Sequence, residues 1–206
     1  MASTVALTRI VIRNAINIFG GPLHGTEYSL EGACARCGTG AEQSGPLVLS
    51  RFKAPKEDVF STLNDEILIS PRFCESLRAR GIQCVRQVLD AESKTPLPVL
   101  QLVAEAVLPP FSQRTTGYVR ERACDLCQRD GYFGIPHVPM VFHYDALPSK
   151  LAEKDLLATF ERFGNSRLRT PFRDSVFAAP AYLAGARLVN ELKQIKGVDF
   201  ERVEVS

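Results

Sequence analysis

Two Cys-x-x-Cys pairs, Cys34/Cys37 and Cys124/Cys127, constrain this chain more than any other feature. Two cysteines with two residues between them can turn tightly enough to place both sulfurs on one ion. Four such thiolates close a tetrahedral zinc site. Gly38, just after Cys37, lets the turn pass near a metal without a Cβ clash. Zinc ribbons usually separate their pairs by roughly 15–20 residues; the gap here is far longer. If both pairs close on one Zn2+, that ion pins remote parts of the chain together. Four protein ligands leave no coordination position for water, so the expected zinc is structural and not catalytic. A thioredoxin-like redox site is the competing reading. It needs one pair at a strand–helix junction, whereas residues 31–46 read as a turn-rich loop. Four unrelated cysteines are the remaining alternative.

The rest of the composition is ordinary. The 206 residues are 45% hydrophobic and 23% charged, enough to bury a core without disulfide staples. A net charge of +2 gives no argument for nucleic acid or an anionic membrane. Arg9 and Arg13 interrupt the apolar N-terminal run, which reads poorly as a signal peptide. No stretch approaches the roughly 20 apolar residues of a membrane span. The expectation is a single domain over 1–206, soluble and cytoplasmic, with no membrane partner. The N-terminal 30 residues suggest no function.

Along the chain, Leu7 to Ile12 reads as a strand and Gly20-Gly21-Pro22 as a break. Ile67 to Ile69 reads as a short strand. Ser70 then caps a helix with Pro71 at its first position, running to about Arg80. Phe73, Leu77 and Cys74 form its buried stripe, Gly81 stops it, and a strand follows from Ile82 to about Leu89. Val99 to Leu108 fits a strand or a short helix. Residues 148–163 carry a helical pattern, with Leu151, Leu156, Leu157 and Phe160 on one side. Near the C-terminus, Arg187 to Val205 repeats Arg72 to Leu89 with one insertion. Arg72 pairs with Arg187, Leu77 with Leu192 and Gly81 with Gly197, and each unit follows a Val-Phe, Val59-Phe60 or Val176-Phe177. The order suggests internal duplication. The expected fold is therefore α+β: two pseudo-repeated halves, 31–90 and 118–206, each with a zinc knuckle, strand, helix and strand, joined by a shared structural zinc site.

Other residues carry less chemistry. Cys74 and Cys84 read as small buried hydrophobes. His24, His137 and His143 are too scattered for a ligand motif, although His137 follows Cys127 closely enough to substitute for one ligand. No nucleophile elbow, Walker loop, dinucleotide fingerprint or His-Glu-x-x-His appears, and Glu57-Asp58 and Asp65-Glu66 read as solvated turns. The chain is expected not to be an enzyme. Arginines 114, 120, 122 and 129 bracket the second pair, and Arg162, Arg167, Arg169 and Arg173 form a second cluster. A zinc knuckle flanked by arginines can bind phosphate, so a nucleic-acid-binding zinc protein is the alternative function.

Cys34-Ala-Arg-Cys37-Gly38, Cys124-Asp-Leu-Cys127, the repeated helix–Gly–strand units and the tail from Gly197 to Val205 resemble the double-CXXCG motif family. That is a bacterial paralogous family best known from myxobacteria. The resemblance runs roughly from the first pair to the end of the chain. It implies an immunity protein of a lipoprotein toxin-exchange system, which neutralises a cognate protein toxin in the cytoplasm. The second pair departs from the pattern: Gln128 stands where the family has Gly, so a different turn is expected there.

Overall fold

The structure is a computed structural model and describes residues 7–205. In chain order its strands are β1 (Leu7–Ile12), β2 (Tyr28–Ser29), β3 (Glu42–Gln43), β4 (Leu47–Leu49), β5 (Val59–Ser61), β6 (Ile67–Ile69), β7 (Val85–Asp90), β8 (Pro96–Leu102) and β9 (Ala106–Val107). They continue as β10 (Tyr118–Arg120), β11 (Tyr132–Gly134), β12 (Phe142–Tyr144), β13 (Leu156–Phe163), β14 (Ala179–Gly185) and β15 (Val198–Val205). The helices are α1 (Pro71–Ala79), α2 (Ser149–Ala152) and α3 (Ala186–Leu192).

Helix α1 forms where its local signals place it. The Ser70 side chain accepts a hydrogen bond from Phe73 N–H at 3.1 Å, and Pro71 supplies a pre-set first residue. Gly81 takes φ 75°, and Ile82 N–H returns to the Leu77 carbonyl at 3.0 Å, which closes the last turn. Phe73, Cys74 and Leu77 are its buried face. That face shares a core with Leu188, Val189 and Leu192 of α3 and with the inner sides of both large sheets. Glu191 ties the helices together, accepting from Ser76 at 3.2 Å and pairing with Arg80 at 3.4 Å.

Two large sheets and two ribbons make up the rest. The sheet orders are β4-β7-β8-β6-β5 and β12-β15-β1-β14-β13-β9; β2-β3 and β10-β11 are two-stranded. In the first sheet, β6 and β7 are joined through α1 and both run antiparallel to β8 between them. In the second, β14 and β15 are joined through α3 and both run antiparallel to β1. Parallel neighbours β4 and β12 flank β7 and β15, while antiparallel neighbours β5 and β13 flank β6 and β14.

The expected α+β fold of two pseudo-repeated halves is thus corrected. The chain is mostly β, 36% strand against 13% helix. The segments 31–90 and 118–206 are not the folding units either. The first sheet is centred on β8, beyond residue 90, and the second on β1, from the other end of the chain. What recurs is a strand order around each central strand, not a contiguous half. Val59-Phe60 lies buried in β5, whereas Val176-Phe177 lies in a loop with Val176 exposed. The helix expected over 148–163 is also overturned. Only the short α2 forms, and residues from Leu156 onward enter β13. Leu156, Leu157, Ala158 and Thr159 are all buried, so this strand is covered on both faces and lacks the alternation that would have marked it.

Candidate metal centre

Each cysteine pair sits on the loop of a two-stranded ribbon. Residues 30–41 loop out between β2 and β3, held by the pairings Tyr28↔Gln43 and Ser29↔Glu42. Residues 121–131 loop out between β10 and β11, held by Tyr118↔Gly134 through Arg120↔Tyr132. The ribbons bring their loops together, and the four sulfurs lie within 4.8 Å of one another. Cys34 Sγ is 3.9 Å from Cys124 Sγ, and Cys37 Sγ is 3.7 Å from Cys127 Sγ. A tetrahedron with the usual zinc–sulfur bond has edges of about 3.8 Å. A disulfide would need about 2.05 Å, and all four cysteines are free. The donors therefore fit one tetrahedral ion. Soft thiolates in this array are compatible with zinc.

The two turns match. Gly38 N–H donates to the Cys34 carbonyl at 2.8 Å, and Gln128 N–H donates to the Cys124 carbonyl at 3.0 Å. Gly38 has φ 79° and Gln128 has φ 56°. The expectation of a different second turn is therefore corrected: Gln128 adopts the left-handed conformation that glycine would. Arg120 steadies it, donating from Nη2 to the Gln128 side-chain oxygen at 2.7 Å and to its carbonyl. Cys34 N–H donates to the Thr39 carbonyl at 2.9 Å. On the other side, the almost fully buried Asp130 takes that part, accepting from Cys124 N–H at 2.8 Å and Ser166 N–H at 3.0 Å.

Cross-braces join the loops. Arg36 Nη1 lies 2.7 Å from Asp125 Oδ1, an exposed pair. Arg129 stacks its guanidinium 3.9 Å from the Phe160 ring centre and lies beneath Gly40, where a Cβ would meet Arg129 Nη1 at 2.8 Å. Burial opposes ionisation of Cys34, yet the backbone N–H groups of Cys37 and Arg36 bring its thiol down to about 7. Burial pushes Cys37 up to about 12 against the pull of Thr39, and burial raises Cys127 as well. Four sulfurs this close cannot all carry charge without a cation among them.

The remaining residues singled out in the sequence lie outside the cluster. Cys74 and Cys84 are buried in the shared helix core, and burial pushes Cys84 up to about 12. None of the three histidines belongs to the sulfur cluster: His137 is exposed, and His143 Nδ1 faces Glu204 at 3.2 Å. The second arginine cluster is split. Arg167, Arg169 and Arg173 are exposed, while Arg162 is buried inside β13. Arg36, Arg122, Arg167 and Arg169 line a shallow depression beside Cys124, together with Asp125 and Asp130. Asp130 was not legible as a brace, because nothing in Gln-Arg-Asp-Gly marks an aspartate that folds back onto Cys124 N–H.

The fold and site together define a β-rich protein with a four-cysteine, metal-competent centre built from two ribbon loops. Compared with known proteins, the chain matches no family model and no curated protein. No helix among the described residues is long and apolar enough to cross a membrane.

Proposed function

We propose that this chain is a zinc-containing binding protein whose zinc is structural, held by Cys34, Cys37, Cys124 and Cys127. The observation that carries the zinc reading is the sulfur tetrahedron, with 3.7 and 3.9 Å across the two loops. All four donors come from the protein, so the ion is a clamp between ribbons and not a site for activating water. Metal content with single Cys→Ser variants tests it. One zinc per chain, lost in each variant, is the expected result; zinc retained by Cys124→Ser, or none in the parent, rejects it.

Following the resemblance of the cysteine pairs and the C-terminal tail, we assign the bound partner as a cognate protein toxin that the chain neutralises in the cytoplasm, without catalysis. Co-purification with the product of the adjacent gene tests this, with a stable stoichiometric complex expected. A neighbour that neither binds nor is protected against sinks it. A second reading, nucleic-acid binding, draws on the arginine-lined depression beside Cys124. It requires affinity that falls steeply with salt and that Arg167→Ala with Arg169→Ala removes. The nearby Asp125 and Asp130 weaken that reading.

A further inference from the structure

A cavity of about 550 Å³ lies where the two large sheets meet, apart from the sulfur cluster. One wall is built from β13 and β14, the opposite wall from β7 and β8, and Tyr28, Glu42 and Gln43 of the β2–β3 ribbon form its roof. This volume lies in the range of drug-sized ligand sites. Its mouth is rimmed by Phe19, Leu23, Val107 and Val176, all exposed large hydrophobic side chains. Four apolar side chains held in water around one opening are costly unless something covers them.

The interior is polar at chosen points. Arg162 is 8% exposed and lines the cavity. Its guanidinium donates to the carbonyls of Thr159 and Glu161. Among the described residues no carboxylate lies within ion-pair distance of it. Its neighbour Glu161 points to the other side of the strand, where it accepts from Phe111 N–H at 3.0 Å. A buried cation with no paired counter-ion is expensive: burial and the nearby Arg129 draw its pKa down to about 10, against the upward pull of Tyr182, Glu161 and Glu42. The other cation on the wall, Arg86, is committed to the carbonyls of Gln43 and Gly45 at 2.9 and 3.2 Å. The phenols of Tyr28 and Tyr182 also line the cavity, and neither makes a hydrogen bond among the described residues. Tyr182 is half-buried among the residues that line the cavity.

We propose that this cavity is a binding site for a small organic monoanion, a carboxylate on an apolar body, with Arg162 as its counter-ion, Tyr182 as a hydrogen-bond donor and the body filling the apolar mouth. One guanidinium balances one negative charge. A phosphate dianion would bring a second negative charge toward Glu66, a buried acid that also lines the cavity. The site lies apart from the cysteines and does not depend on what partner the protein has.

Calorimetric titration of the full, zinc-loaded chain tests it with decanoate, decanamide and decylammonium, each below its micelle concentration. Decanoate is expected to bind one per chain, roughly tenfold or more tighter than decanamide, the worth of one charge-assisted contact. Decylammonium is expected not to bind. Arg162→Gln should reduce decanoate to the affinity of decanamide and leave decanamide within about twofold. No binding of decanoate, equal affinity for the three probes, or an anion preference that survives Arg162→Gln overturns the proposal. Should that variant fail to fold, Ala104→Trp, on a half-buried loop position of the cavity wall, decides: a folded Ala104→Trp protein must lose decanoate binding, and retained binding overturns the site.

Discussion

Gly38 and Gln128 hold equivalent places behind the second cysteine of each pair, and both sit in left-handed backbone. They differ in what surrounds them. A Cβ on Gly38 would meet the Phe177 ring at 2.6 Å, whereas the Gln128 side chain lies toward Arg120. Gly38→Ala should therefore destabilise the metal-loaded protein by about 2 kcal/mol in urea unfolding, from backbone strain and the Phe177 clash. Gln128→Gly should keep full metal stoichiometry and change stability by no more than about 1 kcal/mol, since relief at φ 56° is offset by the lost Arg120 contact. Glu66 gives a pH signature. Burial raises its carboxyl from 4.5 to about 7. Between those values the folded chain keeps a proton that the unfolded chain has lost, so stability falls as pH rises through that window and levels off above it. Glu66→Gln should flatten this slope and gain on the order of 2–3 kcal/mol at pH 8, with little difference near pH 4. Thermal melts across pH 4 to 8 read it. At this scale the cysteines were legible because a metal demands a fixed spacing. Glu66 was misread as a solvated turn, because sequence neighbours do not reveal that Gly20 and Leu47 close over it.

Helix α1 was readable almost to the residue, because cap, Pro71, buried stripe and Gly81 are all local signals. Ser70 does two jobs: it caps Phe73 N–H and donates to Asp58 Oδ1 at 2.6 Å. Ser70→Ala should cost about 1–2 kcal/mol in chemical denaturation. Strand β13 was read as helix for a physical reason as well. Its residues pack on both faces, against β9 and β14 at the edges and two different cores above and below. A continuous apolar run then loses its period of two. The ribbons β2–β3 and β10–β11 are only two or three residues long, too short for any periodicity to show. They nonetheless aim the cysteine loops, and Phe177 joins one loop to the cavity roof, lying against Gly38 and 5.0 Å from the Tyr28 ring centre.

For the whole molecule, the metal reading makes a simple demand. The two cysteine loops are joined by the sulfur cluster, the Arg36–Asp125 pair and the approach of Arg129 to Gly40. Removing the ion with a chelator should lower the melting temperature by roughly 10 °C or more, through loss of several kcal/mol of linked binding energy. Unchanged melting in stripped protein would show that the braces suffice. The repeated helix–Gly–strand units were visible in the sequence, but their partners were not, because a strand's sequence does not state which distant strand completes it. The position of β1 has one more effect. Thr8 pairs with Arg202 on one side and Ala184 on the other, so β1 finds both neighbours only after the chain has been made through β15. The sheet spanning residues 47–102 faces no such delay. A nascent chain halted after residue 150, with β8 clear of the ribosome, should already protect that sheet from protease, while β1 waits as an unfilled slot in an assembly whose remaining pieces have yet to be translated.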